Sequence, residues 1–158
     1  MTAAGSALAG WSAFEIAAPE LAQEGRRLLD RDGIDQALLA TVRDGEAPRI
    51  HPIYTAIVDG RLYAFILGSA KLGDLDRDGR YALHTHQDPS APSEFMVRGR
   101  ARRVDDPETV ARVAAGWYFE VDAGSALFEF EIESVALGLR DDPDEWPPRY
   151  SRWSAASG

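Results

Sequence analysis

Six stretches of the chain alternate apolar with polar residues or run as short apolar blocks, and each reads as a β-strand: residues 37–43, 50–58, 62–67, 81–86, 94–104 and 127–139. Asp44-Gly45 and Asp59-Gly60 supply the positive φ angles of tight turns, so the first three strands form consecutive hairpins. In the second strand Arg49, His51, Ile53, Thr55 and Ile57 share one face, and Ile50, Pro52, Tyr54, Ala56 and Val58 the other. Pro52 has no N–H to give to a ladder, which predicts a sheet edge or a bulge there. The fifth strand sorts Phe95, Val97, Gly99 and Ala101 from Met96, Arg98, Arg100 and Arg102; the sixth sorts Phe128, Phe130 and Ile132 from Glu129, Glu131 and Glu133. This predicts antiparallel neighbours with arginines facing glutamates.

Helical spacing appears over 19–32, with Pro19 in the first turn, Leu21, Leu28 and Leu29 on one face, and Gly33 after the end. Residues 71–77 and 107–118 read as crossover helices, the second covering a barrel end with Val110, Val113, Ala114 and Trp117. The expected fold is mainly β (α+β): a six-stranded antiparallel split β-barrel with an N-terminal helix and crossover helices. Residues 1–158 are expected to form one domain, with 1–10 mobile and 141–158 an irregular C-terminal arm anchored by Trp146, Tyr150 or Trp153. Trp11, Phe14 and Ile16 are expected to pack on the barrel or on a partner chain.

Composition narrows the function classes. A net charge of -9 argues against a protein that coats a phosphate backbone, so no nucleic-acid partner is expected. The absence of cysteine removes disulfides, thiolate metal sites and a cysteine nucleophile. No apolar run is long enough to cross a bilayer and no Lys/Arg-led apolar leader opens the sequence, which gives the expectation of a cytoplasmic protein with no membrane partner.

Candidate chemistry concentrates where the third strand runs into Gly68-Ser69-Ala70-Lys71. A helix start offers unpaired N–H groups and a partial positive charge; Ser69 adds a hydroxyl near the N-cap, Lys71 an ammonium, and Arg49 a planar fork from the preceding strand. The combination suits a phosphate. A barrel this narrow fills its own interior, so a flat heterocycle attached to that phosphate must lie outside, in a groove between two barrels.

Three motifs, in this order, resemble the pyridoxamine 5'-phosphate oxidase-like flavoproteins, the FMN-binding split barrels: Pro48-Arg49-Ile50-His51-Pro52; Leu67-Gly68-Ser69-Ala70-Lys71 with Asp74-Leu75 and Gly79-Arg80-Tyr81-Ala82-Leu83; and Glu94-Phe95-Met96-Val97-Arg98-Gly99-Arg100-Ala101. The resemblance runs from about Asp35 to Leu139. It implies an FMN-dependent oxidoreductase that is a homodimer, with the cofactor at the interface, an unknown small-molecule substrate and NAD(P)H as a compatible donor. It implies contacts from Arg49, Ile50, His51, Pro52, Ile53, Tyr54, Ala64, Phe65, Ser69, Ala70, Lys71 and Glu94. His51 and Tyr54 are the candidates for proton transfer.

The sequence also departs from that pattern. Ala70 stands where the true oxidases usually have Arg, Glu94 where they place Gln beside the flavin, and the tail, with Trp146-Pro147-Pro148-Arg149-Tyr150, lacks the Arg-x-His triplet that grips vitamin B6 phosphate. Vitamin B6 synthesis is therefore not expected. Two alternatives stay open: a reductase of the same fold using the deazaflavin F420, and a non-catalytic flavin- or haem-binding stress protein. A zinc site from His51, His84 and His86 lacks supporting carboxylate spacing, no Gly-x-Ser-x-Gly turn supports a serine hydrolase, and the arginine stripe at 98, 100 and 102 is better read as cross-strand pairs.

Overall fold

The structure, a computed structural model, describes residues 7–156. Two short helices open it, α1 (Trp11–Ala17) and α2 (Pro19–Leu29). Then follow β1 (Asp30–Arg31), β2 (Ile34–Thr41), β3 (Arg49–Tyr54), β4 (Ala56–Val58), β5 (Arg61–Ile66), α3 (Ala70–Arg77), β6 (Arg80–His84), β7 (Glu94–Val104), α4 (Pro107–Ala115), β8 (Ala126–Leu139) and β9 (Arg149–Ser154). Every pairing is antiparallel, in the order β1-β2-β6-β7-β8-β5-β4, with β3 also on β2 and β9 also on β8. The sheet curls into a half-barrel, the split barrel expected from the alternation.

The nine segments contain the six expected strands. β3 and β4 are halves of one strand that leaves β2 and joins β5 after a break at Thr55. Thr55 is buried; its N–H donates to Asp35 O at 3.0 Å and its carbonyl accepts from the Tyr118 hydroxyl at 2.7 Å, so the break is clamped. Pro52 itself lies opposite Leu38 on an edge strand, where its missing N–H leaves the ladder intact. The tail departs from the expected arm: residues 149–154 form β9 along Ser134–Leu139. β8 had a free edge beyond its pairing with β5, and the tail covers it. Of the three aromatic anchors only Trp153 packs against the core, beside Phe14 at 5.2 Å, whereas Trp146 and Tyr150 stay exposed.

Two apolar layers hold the sheet. Inside, Leu39, Leu62, Ile66, Leu83, Phe95, Phe128, Phe130 and Ile132 meet Trp11 and Phe14, both fully buried; Ile16 is solvent-exposed. Truncating Trp11 or Phe14 removes about 3–5 kcal/mol. Outside, Val113 and Val110 of α4 pack with Trp117 on Tyr63, Val104 and Leu127, the last two near the ends of β7 and β8. The β7–β8 register realises part of the arginine–glutamate ladder. Arg102 reaches Glu129 at 2.9 Å and Glu131 at 3.2 Å, but a bulge between Arg98 and Gly99 shifts Arg98 opposite Ser134. Glu129 is buried and also takes Arg61 at 2.8 Å.

Candidate functional site

Alternation along β3 turns Arg49, His51 and Ile53 toward the barrel and Ile50, Pro52 and Tyr54 away from it. β3 therefore offers an open, largely apolar strip on the outside and a cation at its inner end. The register extends the strip: Ile50 lies opposite Ala40, and Ala40 opposite Ala82; Pro52, Leu38, His84 and Met96 form the next row. A shallow, almost wholly apolar depression lies among Leu38, Ala40, Ile50, Ala82 and Met96.

The cationic end is built by α3. Ser69 is its N-cap in extended geometry, and the Ser69 carbonyl accepts from Leu72 N at 3.1 Å and Gly73 N at 3.3 Å. The Ser69 hydroxyl makes no capping bond, so it remains available beside the first-turn amides. Lys71 follows in that turn, and among the described residues no carboxylate pairs with it. Arg49 Nε donates to Asp74 Oδ2 at 2.9 Å, Thr41 Oγ1 donates to the same oxygen at 2.8 Å, and Arg77 reaches Asp74 Oδ1 at 3.2 Å. One carboxylate thus serves two guanidiniums. With Lys71, the cluster keeps an excess of positive charge at a helix start, an arrangement suited to an anion.

His51 lies two residues after Arg49, on the same face of β3. Its ionisation is pushed below the ordinary imidazole value by burial first, then by the charges of Lys71 and Arg49, with Asp74 opposing them. Arg49 is bonded to Asp74, which lies three residues after Lys71 on α3, so both cations border that helix. The His51 Nε2 is buried without a hydrogen-bond partner. Burial also opposes ionisation of Asp74, but the bonds from Thr41 and Arg49, the Arg49 charge and the Arg77 bond outweigh it and hold the carboxyl below its usual range.

Not every expected residue joins this cluster. Ala64 is fully buried opposite Phe128, Ile53 is in the core, and Phe65 faces Trp117 on the outer layer. Glu94 begins β7, three strands across from β3, about 14 Å at ordinary strand spacing. It lies over Gly138, beside Tyr150, in a hollow also lined by His84, Met96 and Arg152. Within one chain it is remote from Arg49. Asp74, Thr41 and Arg77 were not among the expected site residues. The available signal was an acid between Leu72 and Leu75, on a helix face otherwise turned toward the core. His51 and His84 share β2 as a neighbour but lie opposite Leu39 and Leu38 respectively, on opposite faces, so the register separates the histidines.

A profile of the pyridoxamine 5'-phosphate oxidase family matches residues 24–137, more than half of the chain. The chain belongs to the pyridoxamine 5'-phosphate oxidase-like family. Solved structures of low identity share the fold. A protein from Listeria innocua described as a putative pyridoxamine 5'-phosphate oxidase is 15% identical, with a TM-score of 0.58, over 76% of this chain and 98% of that one. An FAD-binding protein from Mesorhizobium loti is 21% identical, with a TM-score of 0.53, over 75% and 91%. A haem-binding protein from Mycobacterium smegmatis is 18% identical, with a TM-score of 0.57, over 75% and 52%, so this family member spans about half of its length. No curated protein matches the sequence. Among the described residues no helix is long and apolar enough to cross a membrane.

Proposed function

We propose that this chain is an FMN-dependent oxidoreductase working as a homodimer, with the flavin phosphate at Ser69, Lys71 and Arg49 and the ring along the outer face of β3. The observation that carries this reading is the Arg49–Asp74 bond, which ties the head of β3 to α3 three residues after Lys71. The residues fit the group: an ammonium without a carboxylate, an uncommitted hydroxyl, first-turn amides and a guanidinium whose Nε alone is engaged suit a phosphate dianion. Ile50, Pro52 and Tyr54 supply an apolar shelf for a planar ring.

A single barrel leaves the Ile50 shelf open on its other side, and a second copy is the occupant that would cover it and exclude water from the cofactor. A homodimer also gives Glu94 a route to the site that its own chain denies it. When bound, the flavin supplies the two-electron redox chemistry. This chain's residues anchor the phosphate and present a dry face. A second reading, a carrier without turnover, draws on Ala70 and Glu94, which remove one cation and add one anion relative to the oxidase pattern, and on the haem- and FAD-binding neighbours.

Titration of the apoprotein with FMN and with F420 tests the proposal. Stoichiometric FMN uptake with the two visible bands of the oxidised flavin, bleached by NAD(P)H or a substrate, supports it. Preference for F420 replaces the cofactor. Uptake without bleaching by any donor favours the carrier, and no uptake of either cofactor removes the flavin reading.

A further inference from the structure

A second concavity lies apart from the phosphate cluster, where the chain after α4 folds back on β5. Four aromatic rings, Tyr54, Phe65, Trp117 and Phe119, line a cavity of ≈ 120 Å³ with Asp122 and Ser125. Phe65 meets Trp117 edge-to-face at 5.0 Å and 86°, Tyr54 meets Phe119 at 5.1 Å and 72°, and Trp117 meets Phe119 at 6.4 Å and 82°. Phe65 and Trp117 are fixed by packing on the Tyr63–Val113 layer, whereas Phe119 and Tyr54 remain nearly half exposed. Two exposed aromatic side chains held against each other in front of two anchored ones are costly as plain surface and point to a ligand.

The charge decides which ligand. The lining contains no basic side chain; its only ionisable groups are the Asp122 carboxylate and the phenol of Tyr54. Asp122 is exposed and pairs with no arginine or lysine among the described residues. Ring faces carry negative potential, and a carboxylate at the mouth adds to it. The geometry points to a binding site for a small organic cation, a quaternary or alkylated ammonium group, with the rings around the charge and Asp122 at the rim. The volume suits a trimethylammonium head and is far too small for a flavin ring. The site adjoins the proposed flavin shelf through Tyr54 and is told apart from it by Phe119 and Asp122, which belong neither to that shelf nor to the phosphate cluster.

Calorimetric titration of the full chain with tetramethylammonium and with choline, at constant ionic strength, tests this. The neutral carbon analogue of choline, 3,3-dimethylbutan-1-ol, is the control. Saturable binding of both cations is expected, with the alcohol about fivefold weaker or more, as cation–π attraction requires. Phe119→Leu, which keeps an apolar lining without a ring, and Asp122→Asn should each weaken the cations about threefold or more and leave the alcohol unchanged. Absence of saturable cation binding, equal affinity for the alcohol, or wild-type affinity in Phe119→Leu would overturn the assignment. Lys71→Ala keeps the cation affinity in this scheme while losing FMN, so failure of one site is told apart from failure of the other.

Discussion

Arg49 Nε donates to Asp74 Oδ2 at 2.9 Å, tying the first residue of β3 to the second turn of α3. That bond makes Arg49 a brace as well as a cation, while Lys71 has no such duty. The two residues should therefore respond differently to removal.

Lys71→Ala is expected to cost at least about tenfold in FMN affinity, the equivalent of about 1.4 kcal/mol, with little change in thermal midpoint. Arg49→Ala should lose affinity and stability together. Fluorescence titration alongside thermal melts of both variants checks the split; equal destabilisation by the two substitutions would contradict it.

Asp74 is buried and its carboxyl is held below the usual value, so the folded state binds its proton less readily than the unfolded chain. Its contribution is fully present above the ordinary carboxylate value and is lost as pH falls through the lower folded value. Asp74→Asn should cost about 1–3 kcal/mol at neutral pH and flatten the acid limb of the stability curve. Urea unfolding at a series of acidic pH values measures both effects.

His51 has its folded value lowered by burial, then by Lys71 and Arg49. The unfolded chain takes the proton first, so stability from this group is complete above about pH 6.5 and declines as pH falls below it, until the lower folded value is reached. A phosphate anion beside the two cations favours imidazolium, so saturation with FMN should raise the His51 value. NMR titration of the His51 ring protons with and without FMN reads that shift, and an unchanged value would separate the ligand from this cluster.

Two glycines should respond in opposite directions. A Cβ on Gly99 would lie 1.9 Å from the Glu131 carbonyl oxygen at the β7–β8 bulge, an overlap that only backbone movement relieves. Gly99→Ala is expected to destabilise by about 3 kcal/mol or more. A Cβ on Gly73, in α3, meets nothing within 4 Å, and Gly73→Ala should stabilise by about 0.5–1 kcal/mol. Denaturant midpoints of the two variants decide this.

The alternation of residues 94–104 and 127–139, the Asp-Gly turns and the Gly68–Lys71 strand-to-helix junction were legible in sequence because each is a local rule: side-chain period, positive φ and helix-end chemistry are properties of a few adjacent residues. These placed the barrel strands, the face of β3 that carries Arg49 and His51, and the start of α3 beside Lys71. Tertiary structure decided what depends on distant partners. It broke the second strand at Thr55 instead of at Pro52, because Asp35 and Tyr118 clamp it there. It drew the tail into β9, because β8 had an edge to cover. It assigned Asp74 to Arg49 across 25 residues of chain and left Glu94 three strands away, since pairing order, not sequence spacing, fixes which charges meet. The aromatic cavity joins residues from β3, β5 and the segment after α4, and no local periodicity announces a site assembled from three separate pieces.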